Sequence, residues 1–73
     1  MMTLEEVLAR TKASLDARVD AGMKRSRDSL HFSPLSDEEI EELLAEQHER
    51  LMLWKAEALA EIERGLRVAF SKA

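Results

Sequence analysis

The second half of the chain carries a helical repeat that no proline interrupts, and this repeat restricts the fold more than any other feature. From Ile40 to Ala58, seam residues recur at alternating spacings of four and three, and the seam then shifts register. This pattern is typical of a helix that packs against other helices. Ser36 and Glu39 form a capping box just before the repeat, which predicts a helix over about residues 37–71.

A shorter helix is predicted near the start of the chain. Thr3 and Glu6 are predicted to form a capping box at its start, and leucine and valine then recur at helical spacing. Gly22 could end this helix as a left-handed cap, which predicts a helix over about residues 4–23. Alternatively, the helix continues through the basic segment that follows and places Lys24 and Arg25 at its negative end. The sequence leaves both alternatives open.

The segment between the helices, about residues 24–35, is predicted to be a connector. Pro34 disfavours helical geometry in the residue before it and marks the break. Leu30, Phe32 and Leu35 are apolar, which predicts a packed loop rather than a flexible linker. No strand pattern occurs, so the predicted fold is all-α: a hairpin of a short helix, a packed loop and a long helix.

The length of the chain indicates that this hairpin needs a further source of stability. A chain of 73 residues forms one domain at most, and so short a chain buries only roughly 60% of the surface that its unfolded form exposes. Disulfides and thiolate metal sites are excluded because the chain has no cysteine. Oligomerisation is the remaining common source of added core.

The stretch LMLW, residues 51–54, indicates that the long helix is covered on more than one side. Successive helical residues point about 100° apart. Leu51 and Trp54 therefore face the seam, Met52 lies on a flank, and Leu53 points away from the seam. One partner helix cannot cover all four side chains.

The unequal helix lengths predict an overhang. If residue 37 lies beside residue 22 in an antiparallel hairpin, Leu4 lies beside about residue 55. Apolar residues beyond that point would lack a partner within the chain, and a second copy would cover them in a dimeric four-helix bundle. The predicted homodimer interface consists of Leu44, Leu51, Trp54, Ala58, Leu59, Ile62, Leu66 and Phe70.

The long helix begins with a strongly acidic segment. Residues 37–49 hold seven acidic residues and no basic one. Such a run is either a solvated face or a surface that docks against a basic partner protein. Leu53 is either a single exposed leucine or a contact point within that surface. The predicted partner-binding residues are Glu38, Glu42, Glu46, Glu49 and Leu53.

No pattern in the sequence predicts catalysis, a cofactor or a metal. Bundles that bind two metals use Glu-x-x-His, but Ala45 stands three residues before His48. The serines cluster in the connector, where turns and caps account for them. The chain is therefore predicted not to be an enzyme, and no catalytic or metal-binding residue is assigned.

The charge and hydropathy patterns limit the partners. A net charge of −4 argues against a nucleic-acid binder that relies on overall charge. Lys24, Arg25 and Arg27 form the one basic cluster and keep a nucleic-acid-associated regulator as an alternative. No apolar run is long enough for a transmembrane helix, and the N-terminus does not resemble a secretory signal, so a cytoplasmic protein is expected.

These observations predict a small non-enzymatic interaction protein. It would act as a regulator, inhibitor or adaptor that binds a partner protein and associates with itself. A second alternative is a structural subunit of a larger helical assembly.

Overall fold

The computed structural model describes residues 2–72, which form two α-helices packed against each other. Helix α1 spans Leu4–His31 and helix α2 spans Asp37–Ser71. Asp16 pairs with Lys55 and Arg27 pairs with Glu41, so the helices run antiparallel. The expectation of an all-helical hairpin is confirmed, and α2 coincides with the range predicted from its repeat.

Side chains cap both helices at their N-termini. The Thr3 hydroxyl accepts a hydrogen bond from the Glu6 amide at 3.2 Å. The second bond of the predicted capping box, from the Thr3 amide to the Glu6 side chain, does not form within residues 2–72, so α1 has an N-cap only. At α2 the capping box is complete: the Glu39 amide donates to Ser36 Oγ, and the Ser36 amide donates to a Glu39 carboxylate oxygen, each at 3.2 Å. These bonds satisfy amides that have no partner within the helix.

Helix α1 does not end at Gly22. It continues to His31, and no glycine in the described residues has a positive φ, so the left-handed cap at Gly22 is wrong. The predicted connector over residues 24–35 shortens to residues 32–36. Packing explains the longer helix, because Met23 and Leu30 are half-buried beyond Gly22, and burial of one helix face outweighs the low helix propensity of a single glycine.

The apolar residues of the predicted connector pack only in part. Leu30 and Leu35 are half-buried, as expected for a packed loop, but Phe32 is 89% exposed, and its ring is nearly perpendicular to that of His31, with 5.5 Å between the ring centroids. The chain turns at Ser33, whose amide and hydroxyl both donate to the Leu30 carbonyl, at 3.1 and 2.6 Å. Pro34 follows at once and prevents the helix from continuing.

The longer α1 changes the register of the hairpin and removes most of the predicted overhang. Val7 and Ile62 line the same cleft, whereas the shorter α1 would have left Ile62 beyond its end. Leu59 and Leu66 are half-buried in the single chain. The shorter α1 would have left five apolar residues without a partner in the chain: Leu59, Ile62, Leu66, Val68 and Phe70. Only Val68 and Phe70 remain at the free end of α2.

The core of this hairpin is small. Among the described residues the buried side chains are Leu15, Val19 and Leu44, which are 5%, 4% and 2% exposed. The molecule measures 56 × 19 × 12 Å, and its radius of gyration is 16.6 Å, compared with about 11 Å for a compact chain of this length. It is therefore a plate one helix thick, with a broad face on each side.

Candidate interaction surfaces

The two broad faces of the plate carry different apolar residues of α2. Met52 and Trp54 project about 200° apart on the helix. The side of α2 that packs on α1, which carries Leu44 and Leu51, lies between them, so the two residues are on opposite faces of the hairpin. Met52, Leu59 and Leu66 recur every seven residues on one flank, with Phe70 a turn beyond. We call this side the Met52 face, and the side that carries Trp54 the groove face.

The residues predicted as one dimer interface do not share one face. Leu44 is buried between α1 and α2, and Leu51 is half-buried against Gly22. Both residues therefore belong to the packing within the chain, and Leu44 is not accessible to a second copy. The other predicted residues divide between the two faces. Trp54 and Ile62 line clefts of the groove face. Leu59, Leu66 and Phe70 lie on the Met52 face, and Ala58 is half-buried.

Three clefts follow one another along the groove face. The central one, about 610 Å³, lies between Arg18 and Arg25 of α1 and Trp54 of α2. The cleft towards the connector, about 440 Å³, shares Arg25 with it and adds Leu43 and Arg50. The third cleft, about 390 Å³, shares Arg18 and reaches Ile62. The three clefts lie in a row on one side of the hairpin and share lining residues, and we call them together the arginine groove.

The two sides of the arginine groove carry different kinds of residue. Leu43, Trp54 and Ile62 are exposed apolar residues of α2 along it. Small residues of α1, among them Ala21, Gly22 and Ser26, line the other side. This combination leaves space for another helix to approach closely, because small side chains let helix backbones come near each other.

The charge of the arginine groove is opposite to that of the whole chain. Its lining contains four arginines, Arg10, Arg18, Arg25 and Arg50, and a single acidic residue, Glu46. Glu46 pairs with Arg50 at 3.5 Å. Within residues 2–72, Arg18 and Arg25 form no ion pair.

The predicted basic cluster is dispersed around α1. Arg25 lines the arginine groove, whereas Arg27 projects about 160° away from it and pairs with Glu41 at 3.6 Å. Lys24 is exposed between these two directions. The sequence interpretation missed Arg18, although its spacing of seven residues from Arg25 was a signal that the two share a helix face.

The Met52 face carries charges of both signs. The Lys55 ammonium pairs with Asp16, and the Lys55 side chain is only 14% exposed. Arg27 and Glu41 form the second pair that links the two helices. Each of these ion pairs is neutral overall. A protein that covers them therefore does not bury a net charge of either sign.

The predicted partner-binding residues lie on the outside of α2. Glu38, Glu42, Glu46 and Glu49 are all exposed. Leu53 is 62% exposed and projects away from both α1 and the buried seam. Glu46 differs from the other three because it borders the arginine groove and pairs with Arg50.

Three further observations concern chemistry and relationship. In the described part of the chain, no three His, Asp or Glu side chains come together as a metal would require. Neither helix there is long and apolar enough to cross a membrane. Comparison with protein-family models, with curated proteins and with solved structures gives no match.

Proposed function

We propose that this protein is a non-enzymatic interaction module that associates with a second copy of itself through the Met52 face and acts as a regulator, inhibitor or adaptor. The observation that carries the proposal is the small core. A plate with three buried side chains leaves large apolar residues on both faces. Met52, Trp54 and Phe70 are 41%, 40% and 39% exposed, so covering each of them is worth roughly 1 kcal/mol. Several such residues together are large beside the 5–15 kcal/mol typical of a domain.

The Met52 face suits a second copy better than the groove face does. A two-fold axis brings the same surface of each copy together. On the Met52 face, the spacing of Met52, Leu59 and Leu66 forms a seam for helix packing. Two ion pairs between α1 and α2, Asp16 with Lys55 and Arg27 with Glu41, are already formed there. On the groove face, two rows of arginines would oppose each other, and like charges in an interface are costly.

The experiment is light scattering coupled to size-exclusion chromatography, on the wild-type chain and on Met52→Glu, over a range of concentrations. Wild type is expected to be a dimer, and Met52→Glu is expected to shift towards monomer because a carboxylate would be buried without a partner. Leu53→Glu is the matched control, since the adjacent residue points to the outside of α2. A monomeric wild type, or an equal response of both variants, would show that self-association through this face is wrong.

The geometry gives less support to the alternatives predicted from the sequence. A nucleic-acid role rested on Lys24, Arg25 and Arg27 acting as one patch, and these residues project in different directions. A structural subunit of a larger assembly would be indicated by regular association beyond a dimer in the same scattering measurement.

A further inference from the structure

We infer that the arginine groove binds an acidic amphipathic helix of another protein. The inference deepens the proposed function by assigning a partner chemistry to the face that the dimer leaves open. It depends on the proposal that the protein is an interaction module, but not on the Met52 face being the dimer interface.

The size of the groove fits a helix. From Leu43 to Ile62 it follows α2 for about 28 Å, so a partner helix of about 19 residues would cover it. Ala21 and Ser26 are small residues on the α1 side that allow close approach, and Leu43 and Trp54 present apolar surface to the incoming side chains. A helix that binds in such a groove inserts apolar side chains from positions i, i+3, i+4 and i+7.

The positions of the charges indicate an acidic partner. Arg18 and Arg25 lie seven residues apart on α1, which is about 10.5 Å along the helix axis. Acidic residues at equivalent positions of successive heptads on a partner helix recur at the same distance. Both guanidinium groups are free of ion pairs in the described structure, so they can bind carboxylates without breaking an existing pair.

The same charges argue against a symmetric second copy in this groove. A two-fold contact would place Arg18 and Arg25 of both copies in one interface, with Glu46 already engaged by Arg50. A single-stranded nucleic acid would also be attracted to arginines. However, such proteins stack successive bases on several aromatic side chains, and in the groove only Trp54 is aromatic.

Trp54 provides the readout, because it is the single tryptophan of the chain and lies in the groove, 40% exposed. The full chain would be titrated with a synthetic helical peptide of three heptads that has leucine at the seam and glutamate at the flanking positions. A blue shift of Trp54 emission is expected on binding, with weaker binding as salt rises. The same peptide with lysine in place of glutamate is expected not to bind.

A charge-reversed chain makes the test specific. The Arg18→Glu, Arg25→Glu double variant is expected to lose about tenfold or more in affinity for the glutamate peptide, the scale of two exposed ion pairs replaced by repulsions. It is also expected to gain binding of the lysine peptide, which shows at the same time that it is folded. Arg64→Glu, an exposed arginine outside the groove lining, is the matched control and is expected to bind as wild type does.

Several outcomes would overturn the inference. These are an unchanged Trp54 emission with the glutamate peptide, equal binding of both peptides, or an unaltered affinity in the double variant. Tighter binding of a single-stranded oligonucleotide at physiological salt would assign the groove to nucleic acid. Without peptide, the Trp54 emission of the chain could shift with chain concentration. If Leu53→Glu abolished that shift, the groove would be assigned to the acidic side of another copy. A monomeric Met52→Glu variant that still binds the glutamate peptide would support the inference. The two proposals can therefore fail separately: loss of peptide binding contradicts the groove inference, and a monomeric wild type contradicts the dimer.

Discussion

A methyl group added at Gly22 would lie 3.3 Å from Cδ1 of Leu51. The backbone of α1 therefore lies directly against a side chain of α2 at this point, near the middle of the hairpin. The glycine accounts for the close approach of the two helices, and it needs no unusual backbone conformation to do so.

The first prediction compares the two glycines of the chain. Both lie inside helices, where alanine is more stable than glycine by roughly 0.5–1 kcal/mol. Gly65→Ala is expected to gain this full amount because nothing lies within 4 Å of the added methyl group. Gly22→Ala is expected to gain less or to lose stability, because Leu51 must move. Urea unfolding of both variants measures the difference, and an equal gain would contradict the close contact at Gly22.

The second prediction concerns the small core. Leu44→Ala is expected to lower the free energy of unfolding by about 2–5 kcal/mol, because it leaves a cavity between the helices. Leu53→Ala is the matched control on the same helix, and its loss is expected to stay within about 0.5 kcal/mol. Both are measured by chemical unfolding at one fixed chain concentration, since self-association would add to the apparent stability. Similar losses in the two variants would contradict the burial of Leu44.

The third prediction concerns the ion pair between Asp16 and Lys55. Asp16→Ala is expected to cost about 1–2 kcal/mol, between the values for exposed and for buried pairs, because the largely buried Lys55 side chain loses its ion-pair partner. Lys55→Met in the Asp16→Ala background is expected to restore part of that loss. Glu46→Ala, which removes an exposed pair with Arg50, is the control and should have little effect. No recovery in the double variant would mean that Asp16 acts in another way.

The sequence predicted those features that depend on neighbouring residues. The capping box at Ser36 and the range of α2 are local, and both are present in the structure. The end of α1 was not predictable in the same way. Gly22 is compatible with a cap or with a continuous helix, and the choice depends on contacts with α2 that lie far away in the sequence.

The division of the apolar residues into two faces could not be predicted for a related reason. It depends on the rotation of α2 relative to α1, which follows from the register that the longer α1 sets. Once Val7 lies near Ile62, Trp54 and Met52 emerge on opposite sides. The net charge of the chain did not indicate the arginine groove either, because a negative net charge is compatible with a row of arginines on one face.

The thinness of the plate has a consequence for how this sequence can change over evolutionary time. With almost no interior, each residue is constrained mainly by whatever lies against its own face. If one face meets an identical copy, a substitution there alters both sides of the contact at once. A face that meets a different protein can instead diverge in step with its partner. Among relatives, the two faces of the hairpin would then accumulate substitutions at different rates, and the positions that vary together would separate the Met52 face from the arginine groove.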